Sequence, residues 1–388
     1  MRVAFNALFL QEPRTGTGRY VYNLLRSLGR VDGVTEYAVL SPREPEVMPE
    51  TPSTFMWETV PLDRVRRGGE NFEKLAWEQF AFPAAAKRLG ARVMHVPHFA
   101  PPRYTHGIPT LVTIHDVVPL RLPEYRASAP AQLYSRLVSW AARHADMVVA
   151  VSEHAKADII ELLGVAPDRV RVVVEAPAPG YRPVQDPAKL RAMRAKYGLG
   201  DRYVLNVGGL DARKNIAGLI GAFAAVYHDI GDPDLQLFIA GEPKLLGTSP
   251  VFPDWRPLAA QFGIAGQVIC TPIGEHDLPA LYSGAACFAF ASLYEGFGLP
   301  PIEAMACGAP VVCSDRTSLP EVVGSSGLLA DPTDVEAFGT AMMRVLTEPE
   351  YADDLRLRGL ARAKQFTWDQ VAVETSALYA ELAGTRRD

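Results

Sequence analysis

Short apolar runs recur along the chain, and most give way to segments whose apolar residues repeat at helical spacing. Arg2–Phe5 reads as a first strand. Tyr20–Leu28 then carries Val21, Leu24, Leu25 and Leu28 on one stripe, the spacing of an amphipathic helix. Val93–Val96 and Thr110–Ile114 read as further strands of the same sheet, Pro130–Ala145 as a helix, Asp146–Ser152 as a strand and Glu153–Leu163 as a helix. Ser152 is a natural N-cap for that helix, with Ala155 where a full capping box carries Glu or Gln. Arg171–Val174 is the last strand of this set.

After the proline-rich segment Glu175-Ala-Pro-Ala-Pro-Gly-Tyr-Arg-Pro the pattern restarts. A helix is predicted around Pro187–Lys196, strands at Tyr203–Val207, Gln236–Ala240 and Val268–Thr271, and helices at Ile216–Tyr227 and Asp277–Ser283. Ala286–Ala291 and Pro310–Ser314 read as two buried strands on either side of a short helix, Ile302–Cys307, with Gly308 as its C-terminal cap. Asp334–Thr347 is amphipathic, and Thr367-Trp-Asp-Gln370 is a capping box that opens a last helix to about Leu382. Strands alternating with helices predict parallel α/β sheets. At 388 residues the chain suits two domains, divided near 178/179 in the proline-rich linker.

The composition is that of a globular protein, 48% hydrophobic and 21% charged, and the net charge of −5 gives no reason to expect a nucleic-acid partner. Many of the 32 prolines fall in connecting segments, Pro42–Pro61, Pro97–Pro109 and Pro177–Pro187, consistent with rigid loops. Cys270, Cys287, Cys307 and Cys313 sit in apolar contexts with no Cys-x-x-Cys pair, so they read as small core residues. The N-terminal apolar run is too short for a signal peptide, and no window approaches a membrane span, so a cytoplasmic protein is expected. The basic clusters Arg64-Val-Arg-Arg67 and Lys87-Arg88 leave open a weak peripheral contact with the inner face of a membrane, solvated surface being the simpler account.

Candidate chemistry concentrates at the ends of predicted strands. Between Ala286–Ala291 and Pro310–Ser314, Glu295 lies in a loop and Glu303 in the first turn of the short helix. Gly296 and Gly298 let the backbone approach a ligand, and the loop amides with the helix N-terminus offer an anion site. The plainer reading makes Glu303 a helix-terminus stabiliser and the glycines turn residues. Arg213-Lys214 stands before the helix Ile216–Tyr227, where cations oppose the helix dipole, so an anion nearby is expected. Gly16 and Gly18 lie between a strand and a helix N-terminus, and a tight turn explains them equally well. His115-Asp116 sits at the end of a buried strand, while His95 and His98 read as loop histidines.

The phrase Glu295-Gly-Phe-Gly-Leu-Pro-Pro-Ile-Glu303-Ala-Met-Ala-Cys-Gly, continuing through Gly308-Ala-Pro-Val-Val, resembles the retaining glycosyltransferases of family GT4. The resemblance covers nearly the whole chain and is strongest from about Tyr203 to Asp331. It implies a GT-B fold: two Rossmann-like domains with parallel sheets facing across a cleft, with the final helix, about 367–388, packing back on the first. It implies a nucleotide-sugar donor in the second domain, a glycan, glycolipid or small-molecule acceptor in the first, and transfer with retention of configuration. It implies no cofactor and no required metal, and the chain is read as having no Asp-x-Asp triplet, the usual metal–diphosphate clasp of the other major glycosyltransferase fold.

Carried residue by residue, Arg213 and Lys214 bind the diphosphate, Glu295 the donor-sugar hydroxyls and Glu303 the ribose, and His115 contacts the donor sugar. The loop with Gly16, Gly18, Arg19 and Tyr20 closes over the donor, and Gly208, Gly209, Ile273, Phe297 and Leu299 line the nucleotide. Many relatives carry Arg where this chain has Gly209, which shifts the phosphate grip toward Arg213 and Lys214. Details of the loops most resemble bacterial mannosyl- and hexosyltransferases of polysaccharide or glycolipid assembly, so GDP-mannose is the first expectation for the donor and a UDP-hexose the second. An epimerase or hydrolase on the same fold, and a non-catalytic nucleotide-sugar-binding subunit, are the rival readings.

Overall fold

Runs that are buried on both faces form the strands of two parallel sheets, as expected where helices cover each side. The computed structural model describes residues 1–62, 70–126 and 129–384. The chain divides into two units, Met1–Glu175 joined by the segment from Thr367 onward, and Ala176–Phe366.

In the first unit the strands are β1 (Arg2–Asn6), β2 (Glu36–Ser41), β3 (Phe55–Thr59), β4 (Val93–Val96), β5 (Thr110–Ile114), β6 (Met147–Ala150) and β7 (Val170–Val172). Their order, β3-β2-β1-β4-β5-β6-β7, reverses direction of winding between β1 and β4. The two strands absent from the sequence reading, β2 and β3, flank the proline-rich Pro42–Pro52 stretch. β3 lies between Pro52 and Pro61 and pairs only with β2, so its prolines bound an edge strand and do not interrupt it.

The first long helix starts at Gly16 and runs to Val31, so Gly16 and Gly18 form its first turn and not the loop before it. Thr15 caps it, its hydroxyl accepting the Gly18 amide at 3.1 Å. Two helical segments widen into π geometry, Trp77–Ala81 and Ile159–Leu163.

The last helix, Trp368–Gly384, packs on Gly16–Val31. It buries Trp368, Val371, Leu378, Tyr379 and Leu382. Thr367 caps it through the Gln370 amide, but the Gln370 side chain bonds Glu374 instead of returning to the cap, so the capping box is half made.

In the second unit the strands are β8 (Tyr203–Val207), β9 (Gln236–Ala240), β10 (Val268–Thr271), β11 (Cys287–Phe290), β12 (Val311–Ser314) and β13 (Leu328–Ala330). The order β10-β9-β8-β11-β12-β13 places the winding reversal between β8 and β11. Loops leaving those two strands therefore meet at the carboxyl edge, the usual ligand position in such sheets. The helix after β11 runs Leu299–Ala306, starting at Leu299 instead of Ile302, so Glu303 sits in its second turn and not its first. A second helix, Pro349–Ala363, backs it: a Cβ on Gly359 would come within 3.2 Å of Met305. The four cysteines are free, three of them buried.

Candidate active site

The loop Gly208–Asn215 carries the chain from β8 to the helix Ile216–Ile230. Ala212–Lys214 coils into one 3-10 turn, and Asn215, held in the left-handed region at φ 51°, caps the helix by accepting the Gly218 amide. This turn directs both cations at one carboxylate. Arg213 donates to Glu295 Oε2 at 2.8 Å and Lys214 to Glu295 Oε1 at 2.5 Å. Ser292 donates to the same Oε1 at 2.6 Å, and Asp211 lies 3.2 Å from the Arg213 Nε.

The anion that the Arg-Lys pair calls for is thus within the protein. Arg213 and Lys214 are balanced by Glu295 and Asp211. Lys214, Glu295 and Asp211 are all buried, so these pairs are poorly screened. Burial disfavours the charged Lys214 and, despite Glu295, leaves its basicity below the ordinary value. Burial also opposes ionisation of Glu295, but Lys214 and Arg213 outweigh it and hold its carboxyl below the usual range. The Lys214 ammonium also lies 5.0 Å from the centre of the Phe290 ring, a cation–π distance.

Gly208 continues β8 by donating its amide to Ala240, next to the Lys214 side chain. At Gly209 an added Cβ would lie 2.7 Å from the Asp211 carboxylate. Asp211 therefore occupies the space that a larger side chain at position 209 would need.

Ser318 pins the turn after β11 by donating to the carbonyls of Glu295 and Phe297, at 3.0 and 2.6 Å. Thr317 accepts the Glu295 amide at 3.1 Å. Gly298 adopts φ 118°, and a Cβ there would strike Leu319 at 2.7 Å, so this position requires glycine on both counts. Gly296 and Leu299 flank the buried Phe297 in this turn. The helix N-terminus is a weaker anion site than the sequence suggests. Pro300 and Pro301 remove two of its first four N–H groups, leaving those of Leu299 and Ile302.

Glu303 is buried and accepts the Tyr282 hydroxyl at 3.2 Å. Ile273 sits half-buried in the loop after β10. Asp232-Pro-Asp234, an Asp-x-Asp triplet, is present after all. It lies before β9, at the opposite edge from the site, with Asp232 bonded to Arg202 and to the Asp234 amide. Among the described residues no three His, Cys, Asp or Glu side chains gather as a metal site.

In the first unit, His115 leaves β5 and is held on both ring nitrogens. Nδ1 lies 2.6 Å from Glu175 and Nε2 3.1 Å from the Pro97 carbonyl. Both partners are acceptors, so the ring satisfies both only as the imidazolium. Burial opposes that charge, but Glu175 outweighs it and His115 is more basic than an ordinary histidine. Tyr20 meets its ring edge to face, with centroids 4.7 Å apart. Asp116 accepts the Val118 amide and shapes the local turn.

Gly18 is required by packing: a Cβ would lie 2.2 Å from the Glu12 carbonyl oxygen. Gly16 is exposed and meets nothing within 4 Å.

His95 is not a loop histidine: it lies on β4, bonded to Tyr379 at 2.6 Å and Thr113 at 2.9 Å. His98 is in the bend after β4, as read, and is buried there against Glu78 at 3.1 Å. Of the basic clusters, Arg64–Arg67 lies outside the described residues, and Arg88 pairs with Glu58. Among the described residues no helix is long and apolar enough to cross a membrane.

Asp211, Ser292 and Glu175 escaped the sequence reading. Asp211 stands two positions before Arg213, and a count of charges in that loop against its cations would have singled it out. Glu175 carries no local signal, since its partner His115 is distant in sequence.

Residues 191–362 match the family model described as glycosyl transferases group 1, and residues 14–174 that of Glycosyltransferase Family 4. The chain is 30% identical to the O-antigen chain mannosyltransferase B of Escherichia coli, over 98% of this chain and 99% of that one. Among solved structures it resembles sucrose-phosphate synthase from Thermosynechococcus elongatus, with TM-score 0.75 and 22% identity over 100% of both chains. It also resembles Anabaena Alr3699/HepE in complex with UDP-glucose, with TM-score 0.74 and 16% identity over 98% of this chain and 100% of that one. These likenesses give the fold as GT-B.

Proposed function

The chain belongs to the group 1 glycosyltransferases of family 4 and is a glycosyltransferase; on that premise we propose that it moves mannose from GDP-mannose to a glycan or glycolipid, with retention of configuration and without a metal. The mannosyltransferase relative supports the sugar. The observation that carries the mechanism is the pairing of Arg213 and Lys214 on Glu295 where the β8 and β11 loops meet.

In this reading the donor diphosphate takes up the two cations, which stabilise the charge that develops as the C1–O bond to phosphate breaks. Arg213 suits this because its fork can grip two phosphate oxygens at once. Glu295, sharing its cations with the diphosphate, accepts hydrogen bonds from the sugar hydroxyls as the ring gains oxocarbenium character. The acceptor oxygen bonds to C1 on the face the phosphate leaves, and its proton passes to the departing phosphate oxygen. Glu303 holds the ribose.

A panel of GDP- and UDP-linked hexoses with anomeric analysis of the products, in EDTA throughout, tests the proposal. GDP-mannose turned over with the α-anomer retained is the expected result. Preference for a UDP-hexose reassigns the donor. An inverted product, or activity that returns only with Mg²⁺, overturns the mechanism.

A further inference from the structure

Glu175 closes the continuous stretch Met1–Glu175 of the first unit and lies shortly after β7. It is buried, and its carboxylate reaches His115, the residue that follows β5. The contact at Nδ1 is 2.6 Å, short enough for a charge-assisted bond, and the opposite nitrogen, Nε2, lies 3.1 Å from the Pro97 carbonyl. A neutral imidazole has one N–H, so it would turn a lone pair toward one of these two acceptors. Only the doubly protonated ring serves both.

The groups around the ring divide by sign. Burial works against its charge, and Glu175, helped by the neighbouring Asp116, outweighs burial. His95 on β4 and His98 in the bend after it carry charge of the opposing sign only when protonated, and burial holds both below the ordinary histidine range, so near neutral pH neither contests the charge on His115. Tyr20, on the first long helix, meets the ring edge to face and bonds its hydroxyl to Thr113, not to His115. The His115 side chain is 20% exposed, so a ligand can still reach the ring while both of its nitrogens are held.

We propose that Glu175 is a positioning residue: it keeps His115 doubly protonated, so that this histidine meets the donor sugar as a fixed cation and never as a general base. The proposal rests on the reading of His115 as a donor-sugar contact. It agrees with a transfer in which the acceptor's proton passes to the departing phosphate oxygen, because a ring that already holds both protons takes up no third. The two roles differ in sign: a general base gains activity as pH rises through its pKa, whereas a required cation loses it.

His115 is titrated by NMR of isotope-labelled histidine rings in the intact wild type, Glu175→Gln and Glu175→Asp, with His115→Gln to assign its signal. The pH dependence of kcat/KM is measured on the same proteins, with calorimetric titration of GDP in parallel. In wild type kcat/KM falls as His115 loses its proton. Glu175→Gln brings both the titration and that fall to lower pH by about one unit or more, the scale of removing one adjacent opposite charge. Glu175→Asp restores most of the shift, and GDP affinity is unchanged in both variants. A pair that only ties the chain after β7 to β5 lowers the melting temperature and leaves the pH profile where it was. The proposal is overturned if His115 titrates alike in wild type and Glu175→Gln, or if kcat/KM rises through the His115 titration. A titration that moves while the rate ignores it overturns the premise, the donor-sugar contact of His115. Failure of every nucleotide sugar to react sinks the transferase reading instead and leaves the NMR titration to judge Glu175.

Discussion

A single carboxylate, Glu295, holds two cations, and substitutions around it act through that balance. Lys214→Ala removes one stabiliser of the leaving diphosphate, and a transition-state loss of ~2–4 kcal/mol is expected, roughly thirtyfold to a thousandfold in kcat/KM. Near-normal rates in this variant would mean that the diphosphate binds elsewhere.

Glu295→Gln gives a different outcome. Without its carboxylate, Arg213 and Lys214 face the nucleotide unopposed, so affinity for free nucleoside diphosphate holds or rises while turnover falls. Glu303→Gln, at the proposed ribose contact, loses affinity for the same ligand by ~1.5–3 kcal/mol. Calorimetry beside initial rates separates them, and a loss of nucleotide affinity in Glu295→Gln alone would reverse the two roles. The two glutamates were legible in the sequence because their phrase is contiguous. Their surroundings were not, since Lys214 and Tyr282 reach them only through the fold.

At the scale of elements, the strands buried on both faces were read closely: Val93–Val96, Thr110–Ile114 and Tyr203–Val207 stand at the limits their apolar runs predict. Errors came where a local rule pointed away from the tertiary result. Gly16 and Gly18 are poor helix formers, yet they open a helix because Gly18 fits against backbone where no Cβ could. His95 read as a loop histidine near Pro97, but it lies on β4 and is the point where the last helix locks onto that strand, through Tyr379.

Burial, with His115 and His98 adding like charge, lowers the pKa of His95 from 6.5 to about 3. The folded unit therefore keeps His95 neutral where the unfolded chain takes up a proton, so stability is lost as pH falls from about 6.5 toward about 3. This slope reaches at most about 1.4 kcal/mol per pH unit. His98 pulls in the same direction, and His115, whose pKa is raised, in the opposite one. His95→Phe removes the His95 partner of the Tyr379 hydroxyl and leaves Thr113 with Tyr20 alone, at ~1–3 kcal/mol. It also flattens the acid limb, so the difference between the two unfolding curves from pH 7.5 to 5 reads His95 alone. Equal slopes would refute the assignment.

For the molecule as a whole, the two units differ in how the chain builds them. Ala176–Phe366 is one continuous stretch, while the unit that starts at Met1 also needs the residues after Thr367. A fragment 176–366 is expected to fold alone, with a cooperative melt, and to bind nucleoside diphosphate. A fragment 1–366 lacks the helix that buries Trp368, Val371, Leu378 and Tyr379, so its first unit should melt earlier and bind hydrophobic dye. A first transition unchanged from the full chain would show that the last helix is dispensable.

The returning helix also sets an order of events on the ribosome. The sheet of the first unit emerges before Ala176–Phe366, yet the surface that Trp368–Gly384 covers stays open until the whole of that second stretch has been made. At ~5–20 residues per second that wait lasts on the order of ten seconds or more. The unit translated second can therefore be finished first, and the unit translated first spends the interval with an apolar face uncovered. During synthesis, and not in the mature enzyme, this chain has its greatest need of a chaperone.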